Sequence, residues 1–218
     1  MLWALVPAKL GPAVKSRLGA ALSPEQRRAL AQAMLCDVLA ALTSAPSLAG
    51  VAVVTRDPSV ASLATEAGAT PIEETHGGGL NDGVAQGIAG CRAQGASAVV
   101  IAMGDLPNLL PSDVERTIAA LPERGVVLVP SRDGTGTNVL AARPADLVLP
   151  THFGEGSLAR HRTATAGLDT VLLPLRGAAL DVDTTDDLEL LVRDGAAGAA
   201  TRRLLADLAR VARPERTA

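Results

Sequence analysis

Short apolar runs alternate with helical segments along almost the whole of this 218-residue chain, and that order constrains its fold. The first run, Leu2–Val6, precedes a helix start at Ser23-Pro24-Glu25-Gln26, where a capping residue, a proline and an acidic first turn coincide. Repeated strand–helix units predict a mostly parallel sheet flanked by helices. We therefore expect a single α/β domain that binds its ligand at the carboxyl ends of the strands.

The remaining elements follow the same alternation. Apolar runs predict strands at residues 51–55, 70–72, 99–103, 126–129, 138–142, 171–173 and 180–182. Periodic segments predict helices that end near residue 67, span 80–94 and 111–121, start at Ser157, and span about 185–192 and 201–211. We assign residues 1–195 to the domain and residues 196–218 to a C-terminal helical tail, which packs on the domain or on a second subunit.

Composition excludes several functions. The net charge of −3 argues against general binding to nucleic acid or to acidic membranes. Trp3 and Phe153 are the only aromatic residues, so a surface that stacks exposed bases is not available. The apolar start is interrupted by Lys9 and is too short for a signal sequence or a membrane span, which predicts a cytoplasmic protein.

Three aspartates follow apolar runs and predict a metal site. Asp181 lies in the predicted strand 180–182 and Asp183 directly follows it, so the alternation points both to one face, and Asp105 follows the strand at 99–103. Carboxylates at neighbouring strand ends suit Mg²⁺, which usually leaves positions open for substrate phosphates. The alternative is a turn or capping role, although Thr184 already offers a cap for the next helix.

The first loop, residues 7–18, carries three cations within nine residues. Lys15 and Arg17 could neutralise a triphosphate, and the loop amides could bind its oxygens. The loop lacks the GxxxxGK[ST] pattern of a P-loop. The alternative is a solvated basic loop.

Two further loops contain groups that bind anions. Residues 134–138 offer flexible backbone, two hydroxyls and an amide, and residues 153–157 place glycines directly before a helix. Ser157 could cap that helix, contact phosphate, or do both. His161 lies one turn later, where a structural role is favoured over a catalytic one. Asn81 could contact a nucleoside or cap a helix.

These motifs, in this order, make the chain resemble the 2-phospho-L-lactate guanylyltransferase family of coenzyme F-420 biosynthesis, including its phosphoenolpyruvate and 3-phosphoglycerate variants. The residues that carry the resemblance are Val6-Pro7-Ala8-Lys9, Ala13–Leu18, Leu22–Arg27, Met34–Val38, Gly79-Leu80-Asn81, Gly104–Pro107, Gly136–Leu140, Phe153–Ser157 with His161, and Leu180–Asp183. The resemblance implies a Rossmann-like nucleotidyltransferase fold of the glycosyltransferase-A type. It also implies GTP as donor, Mg²⁺ as cofactor and a small phosphorylated three-carbon acid as acceptor.

The resemblance also implies roles for individual residues. It implies Asp105, Asp181 and Asp183 as the metal ligands, Thr137, Gly154 and Ser157 as acceptor-binding residues, and Lys15 as a phosphate contact. From the residues themselves we add Asn138 to the expected acceptor site and place Pro7, Ala8, Lys9, Lys15 and Asn81 in the expected nucleotide site. The expected catalytic groups are Lys15, Arg17 and Asp105. The acceptor and the oligomeric state stay open, and a homodimer is one possibility. The alternatives are a sugar-phosphate or molybdenum-cofactor nucleotidyltransferase, a glycosyltransferase, and a non-catalytic nucleotide-binding regulatory domain.

Overall fold

A computed structural model describes residues 1–211, and its seven strands form one sheet. The strands are β1 (Leu2–Pro7), β2 (Gly50–Thr55), β3 (Thr70–Glu73), β4 (Ala98–Ala102), β5 (Gly125–Pro130), β6 (Thr137–Arg143) and β7 (Asp169–Leu172). Their order across the sheet is β3-β2-β1-β4-β6-β5-β7. Strand β6 runs antiparallel to both of its neighbours, and every other pair is parallel. The predicted mostly parallel α/β sheet is therefore confirmed.

Helices cover both faces of this sheet, as the alternation predicts. They are α1 (Pro24–Thr43), α2 (Pro58–Glu66), α3 (Leu80–Ala93), α4 (Pro111–Ala119), α5 (Ser157–Ala164), α6 (Arg176–Ala179), α7 (Thr185–Asp194) and α8 (Ala199–Val211). The short helix α6 is not expected from the sequence. None of the helices within residues 1–211 combines the length and the apolar character needed to cross a membrane.

The sheet separates two apolar layers, because successive side chains of a strand point to opposite faces. Val6 packs with residues of α1, α2 and α4 on one face, and Leu5 packs with α3 and α5 on the other. All five residues of β4 are buried, as expected for a central strand covered on both sides.

A third apolar cluster lies beside the sheet and joins the segments that carry candidate site residues. It consists of Leu18, Leu30, Met34, Leu180, Val182, Leu191 and Ala197. The first loop, α1, the segment before α7, α7 itself and the approach to α8 therefore share one small core.

The predicted strand at residues 180–182 is wrong. The segment is extended, but its contact with the end of β4 is a backbone hydrogen bond of 3.3 Å from Val182 N–H to the Asp105 carbonyl. Strand β4 already pairs with β1 and β6, so no free edge is available for another strand there. The alternation that suggests a strand instead comes from an extended loop that buries Leu180 and Val182.

Two predicted helix caps have different outcomes. Thr184 caps α7 through a reciprocal capping box with Asp187, as the sequence predicts. The prediction that Ser157 caps α5 is wrong: Gly156 is the capping residue, at φ 64°, and Ser157 is the first helical residue. A glycine takes the cap because this position needs a left-handed backbone, which carries no steric penalty without a side chain.

The C-terminal helix α8 packs against α1. The buried Asp37 carboxylate of α1 accepts hydrogen bonds of 2.9 Å from the N–H groups of Ala200 and Thr201, the first turn of α8. The part of the predicted tail at residues 212–218 lies outside the described residues. The division at residue 195 stays a prediction.

Candidate active site

The candidate site is a cleft at the carboxyl ends of β1 and β4. Strand β1 lies between β2 and β4, so successive connections leave it in opposite directions, and ligands of such sheets bind at this point. One cavity of about 180 Å³ is lined by Pro7, Ala8, Lys9, Val54, Glu74, Gly79, Leu80 and Gly83. A second, of about 290 Å³, is lined by Pro7, Ala8, Lys9, Leu10, Val14, Lys15, Ala31, Leu35, Leu80, Met103, Gly104, Asp105 and Asp183. The two cavities adjoin along Pro7, Ala8, Lys9 and Leu80.

Lys15 lies between two of the predicted aspartates. Its Nζ is 2.5 Å from Asp105 Oδ2 and 2.7 Å from Asp183 Oδ1, and its side chain is only 8% exposed. Burial alone would lower the pKa of this ammonium, but the two carboxylates outweigh burial and raise the pKa. Lys15 is therefore held as a cation between two anions.

The backbone of Lys15 has a strained conformation, which the packing around it maintains. Its φ of 50° lies in the left-handed region, which residues other than glycine rarely adopt. It directly precedes the 3₁₀ turn Ser16–Leu18, whose Leu18 is anchored in the third cluster. Strain of this kind concentrates at functional sites, where the surrounding packing maintains it.

Asp181 lies beside this pair and is held by Asn138. The Asn138 Nδ2 group donates to Asp181 Oδ1 at 3.2 Å and to the carbonyls of Ala178 and Ala179 at 3.0 Å. Burial, and then the charge of Asp105, raise the pKa of the Asp181 carboxyl, while the Asn138 hydrogen bond opposes the rise. The structure thus brings all three predicted aspartates to one rim of the sheet.

The acidic groups fit a divalent cation in part. The Lys15 ammonium shows that Asp105 and Asp183 can share one cation, and carboxylate oxygens are the ligands that Mg²⁺ prefers. However, no set of three His, Cys, Asp or Glu side chains within residues 1–211 is arranged to hold a metal ion. Two aspartates therefore converge on a common cation, and Asp181 stands near them without completing a three-ligand set.

Two of the predicted acceptor residues, Thr137 and Ser157, form a buried network with His161 that is separate from the cleft. Ser157 Oγ accepts the Thr137 N–H at 2.8 Å, and His161 Nδ1 lies 3.0 Å from Thr137 Oγ1. The His152 N–H donates to His161 Nε2 at 3.0 Å, so the neutral ring carries its proton on Nδ1 and donates to Thr137. The Thr137 hydroxyl proton is then directed to a different acceptor. Neither cavity of the cleft is lined by Thr137 or Ser157.

The other expected residues are distributed differently. Pro7, Ala8 and Lys9 line both cavities. Arg17 is exposed and makes no ion pair with the residues that the structure describes. The Asn81 side chain bonds the loop that precedes α5, accepting from Thr151 and Phe153 and donating to the Phe153 carbonyl. Gly154, at φ 114°, is exposed in that loop.

Two features near the site, the Glu74 carboxylate and a contact between His161 and Thr137, are not expected from the sequence. The buried carboxylate of Glu74 lines the first cavity, although the residue reads as part of a polar loop. The contact between His161 and Thr137 joins residues 24 positions apart, which no local pattern reveals. The one sequence signal for Glu74 is that its carboxylate directly follows a short strand.

Comparison with known proteins places the chain among nucleotidyl-transferring enzymes. The family model described as "Guanylyl transferase CofC like" matches residues 2–218. The chain is 39% identical over 200 residues to a phosphoenolpyruvate guanylyltransferase of Sphaerobacter thermophilus, covering 91% of this chain and 96% of the relative. It is 38% identical over 211 residues to a 3-phospho-D-glycerate guanylyltransferase of Phenylobacterium zucineum, covering 94% and 95%.

Solved structures show the same fold. A putative nucleotide-diphospho-sugar transferase from Desulfovibrio desulfuricans superposes with a TM-score of 0.75 at 21% identity, covering 96% of each chain. The Rv0371c protein of Mycobacterium tuberculosis, solved as a complex with manganese, superposes with a TM-score of 0.54 at 18% identity, covering 88% of this chain and 97% of that one.

Proposed function

Since the chain belongs to the CofC-like guanylyl transferase family, we propose that it joins GMP from GTP to a small phosphorylated three-carbon acid and releases pyrophosphate. Relatives named as phosphoenolpyruvate and 3-phospho-D-glycerate guanylyltransferases support this acceptor class. The observation that carries the proposal is the Asp105–Lys15–Asp183 arrangement at the mouth of a two-cavity cleft. The step belongs to coenzyme F-420 biosynthesis.

The reaction exchanges one phosphoanhydride bond for another. An oxygen of the acceptor phosphate attacks the α-phosphorus of GTP, and the bond from that phosphorus to the α,β-bridging oxygen breaks. The phosphate nucleophile is largely ionised near neutral pH, because its second pKa is about 6. It therefore needs no general base, which agrees with the structural position of His161.

The cations of the first loop oppose the main barrier, which is the approach of two polyanions. Lys15 sits at the cleft and can pair with phosphate oxygens, and Arg17 follows it two residues later on the exposed turn. Such charge placement stabilises the transferring phosphoryl group without covalent participation.

Asp105 and Asp183 would hold the divalent cation, with Asp181 beside them. The manganese in the Rv0371c complex supports divalent metal use on this fold, and we propose Mg²⁺ for this chain. A bound Mg²⁺ supplies neutralisation of the triphosphate charge.

The acceptor site proposed from the sequence is Thr137, Asn138, Gly154 and Ser157. The Thr137 hydroxyl supports this assignment, because it accepts from His161 Nδ1 and its own proton is left for another acceptor. Asn138 links this region to Asp181 and hence to the cleft. The homodimer and the cytoplasmic location stay predictions.

The test is to incubate the protein with GTP, Mg²⁺ and each of 2-phospholactate, phosphoenolpyruvate and 3-phosphoglycerate, and to analyse the products by mass. The expected result is pyrophosphate and a guanylylated acid from at least one of the three. Release of nucleoside diphosphate would instead indicate a glycosyltransferase. Binding of GTP without turnover on any acceptor would indicate a regulatory domain.

A further inference from the structure

The smaller cavity of the cleft contains a carboxylate that the phosphate chemistry does not use. The Glu74 side chain lines this cavity and is only 1% exposed. Within residues 1–211 its hydrogen-bond donor is the Lys9 ammonium, 2.9 Å from Oε1. An ionised carboxylate can accept about four hydrogen bonds, so most of this capacity is left for a ligand.

The position of this carboxylate is fixed by backbone on two sides. The Glu74 N–H donates to the Thr55 carbonyl at 3.0 Å and continues the β2–β3 pairing by one residue. Gly83 of α3 backs the carboxylate, since a Cβ there would lie 3.4 Å from Glu74 Cδ and 3.6 Å from each oxygen. The acceptor group is therefore held in one place at the cavity wall.

The other walls suit a flat heterocycle. Pro7, Ala8, Val54 and Leu80 provide apolar surface, and Leu80 is 40% exposed although it is a large apolar residue. The volume of about 180 Å³ is below the roughly 300–1,000 Å³ typical of drug-sized ligands. A single base surrounded by apolar groups and bonded at one edge is a common form of base recognition.

Lys9 makes the carboxylate compatible with a neighbouring triphosphate. An unpaired anion at this point would repel phosphates in the adjoining cavity. The Lys9 ammonium pairs with Glu74, and the residue lines both cavities. The ion pair leaves the carboxylate able to accept hydrogen bonds while it lowers the repulsion.

We propose that Glu74 selects guanine by accepting hydrogen bonds from its N1–H and its 2-amino group. The triphosphate then extends past Lys9 towards Lys15. Adenine would place an acceptor nitrogen against the carboxylate and has no 2-amino group, so the same site disfavours it. This inference rests on the proposed guanylyl transfer and identifies the residue that chooses the donor nucleotide.

The test compares equilibrium binding of GTP, ITP and ATP to the full-length protein without an acceptor. ITP lacks only the 2-amino group, so the wild-type protein is expected to bind GTP roughly ten- to a hundredfold more tightly. Glu74→Gln is expected to lose this preference and to gain affinity for xanthosine triphosphate, whose 2-oxo group accepts from the new amide. Glu73→Gln, the exposed neighbour, is the matched control and should keep the wild-type ratio.

Equal binding of GTP and ITP by the wild type, or an unchanged ratio in Glu74→Gln, would overturn the inference. If Glu74→Gln does not fold, Glu74→Asp retains the charge beside Lys9 but withdraws it by one methylene, and the same loss of preference is expected. The binding assay involves no turnover, so a lack of product with every acid would refute only the proposed function. Product formation with an unchanged ratio in the variants would refute only the role of Glu74.

Discussion

Lys15 and the two aspartates that face it determine what the cleft can do. A buried ammonium between two carboxylates is stable because each charge is paired, and removal of one partner leaves the others uncompensated. We expect Lys15 to exchange these carboxylates for phosphate oxygens when GTP binds in the cleft. On the proposed mechanism, the ammonium and a divalent cation compete for the place between Asp105 and Asp183.

Lys15→Met should separate these two roles. Without the ammonium, we expect the rate of pyrophosphate release to fall by about 10²–10³. The thermal midpoint in metal-free buffer should also fall, because Asp105 and Asp183 then repel each other. Added Mg²⁺ should raise that midpoint more in the variant than in the wild type, since a ligand of the folded state stabilises it.

Thermal melts with and without Mg²⁺ measure this competition directly. Arg124→Met removes a cation that is exposed elsewhere on the surface and should behave as the wild type. An equal effect of Mg²⁺ on the wild type and on Lys15→Met would show that Lys15 does not occupy a cation position.

His161 should make stability depend on pH. Burial, with the nearby charges of His152 and Arg160, lowers the pKa of His161 from 6.5 to about 4. The imidazole of His161 therefore takes up a proton at a higher pH in the unfolded chain than in the folded protein. The stability that comes from keeping His161 neutral is fully present above pH 6.5 and is lost as the pH falls towards 4. We expect protonation of His161 in the unfolded chain to remove about 2 kcal/mol of unfolding free energy between pH 7 and pH 4.5.

Urea unfolding at those two pH values checks this expectation. In His161→Asn, whose amide can still donate to Thr137, the loss over the same interval should be smaller by that amount. An identical pH dependence in both proteins would mean that His161 is not held neutral by the fold.

Asn138 is expected to act through Asp181. Replacement by Ala removes the side-chain donor to Asp181 and to the Ala178 carbonyl, while the Ala179 carbonyl keeps its hydrogen bond from the Arg132 N–H. We expect about 1–3 kcal/mol less stability and a roughly 10–100-fold loss of activity. A steady-state titration with Mg²⁺ should show a raised half-saturation concentration. Lower stability with unchanged Mg²⁺ dependence would assign Asn138 to the fold alone.

At the scale of elements, the third apolar cluster positions the site. Leu18, Val182 and Ala197 bring together the Lys15 loop, the Asp181–Asp183 segment and the approach to α8. The Gly198 N–H also donates to the Pro107 carbonyl at 2.7 Å, two residues after Asp105. The C-terminal helix is therefore tied to the segments that carry all three aspartates.

Asp37→Ala should loosen this connection. The Asp37 carboxylate satisfies two N–H groups of the first turn of α8, and loss of a helix cap costs about 1 kcal/mol. Hydrogen exchange of the Ala200 and Thr201 amides should accelerate relative to the wild type. Asp37→Asn keeps an acceptor oxygen and should lie between the two; unchanged exchange in Asp37→Ala would exclude the capping role.

The sequence predicts individual elements better than it predicts how they meet. The start of α1 can be predicted because Ser23 and Gln26, which form its capping box, lie within four residues of each other. The strand predicted at 180–182 is wrong because alternation of apolar and polar residues indicates only an extended backbone. A strand also needs a partner with a free edge, and β4 already pairs on both sides. The capping of α8 by Asp37 spans more than 160 residues, so no local pattern contains it.

At the scale of the whole molecule, the order of strands brings the proposed catalytic residues and the proposed base-binding residue to one rim of the sheet. The β1 and β4 ends supply Lys9 and Asp105, and the β3 end supplies Glu74. Asp105 could be predicted because it follows the central strand β4, whereas Asp181 and Asp183 reach the same rim on an extended loop and not on the expected strand. The proposed role of Glu74 could not be predicted, because it depends on a cavity formed by β1, β2, β3 and α3 together.

The central claim is that Asp105 and Asp183 hold a cation that guanylyl transfer requires. Its most direct test is the rate of pyrophosphate release from GTP, Mg²⁺ and the accepted acid in Asp183→Asn. Asp186→Asn, an exposed carboxylate three residues away, is the control. We expect Asp183→Asn to lose about 10²-fold or more in kcat/KM with its fold intact, and the control to retain wild-type activity. Wild-type turnover by Asp183→Asn would contradict the claim.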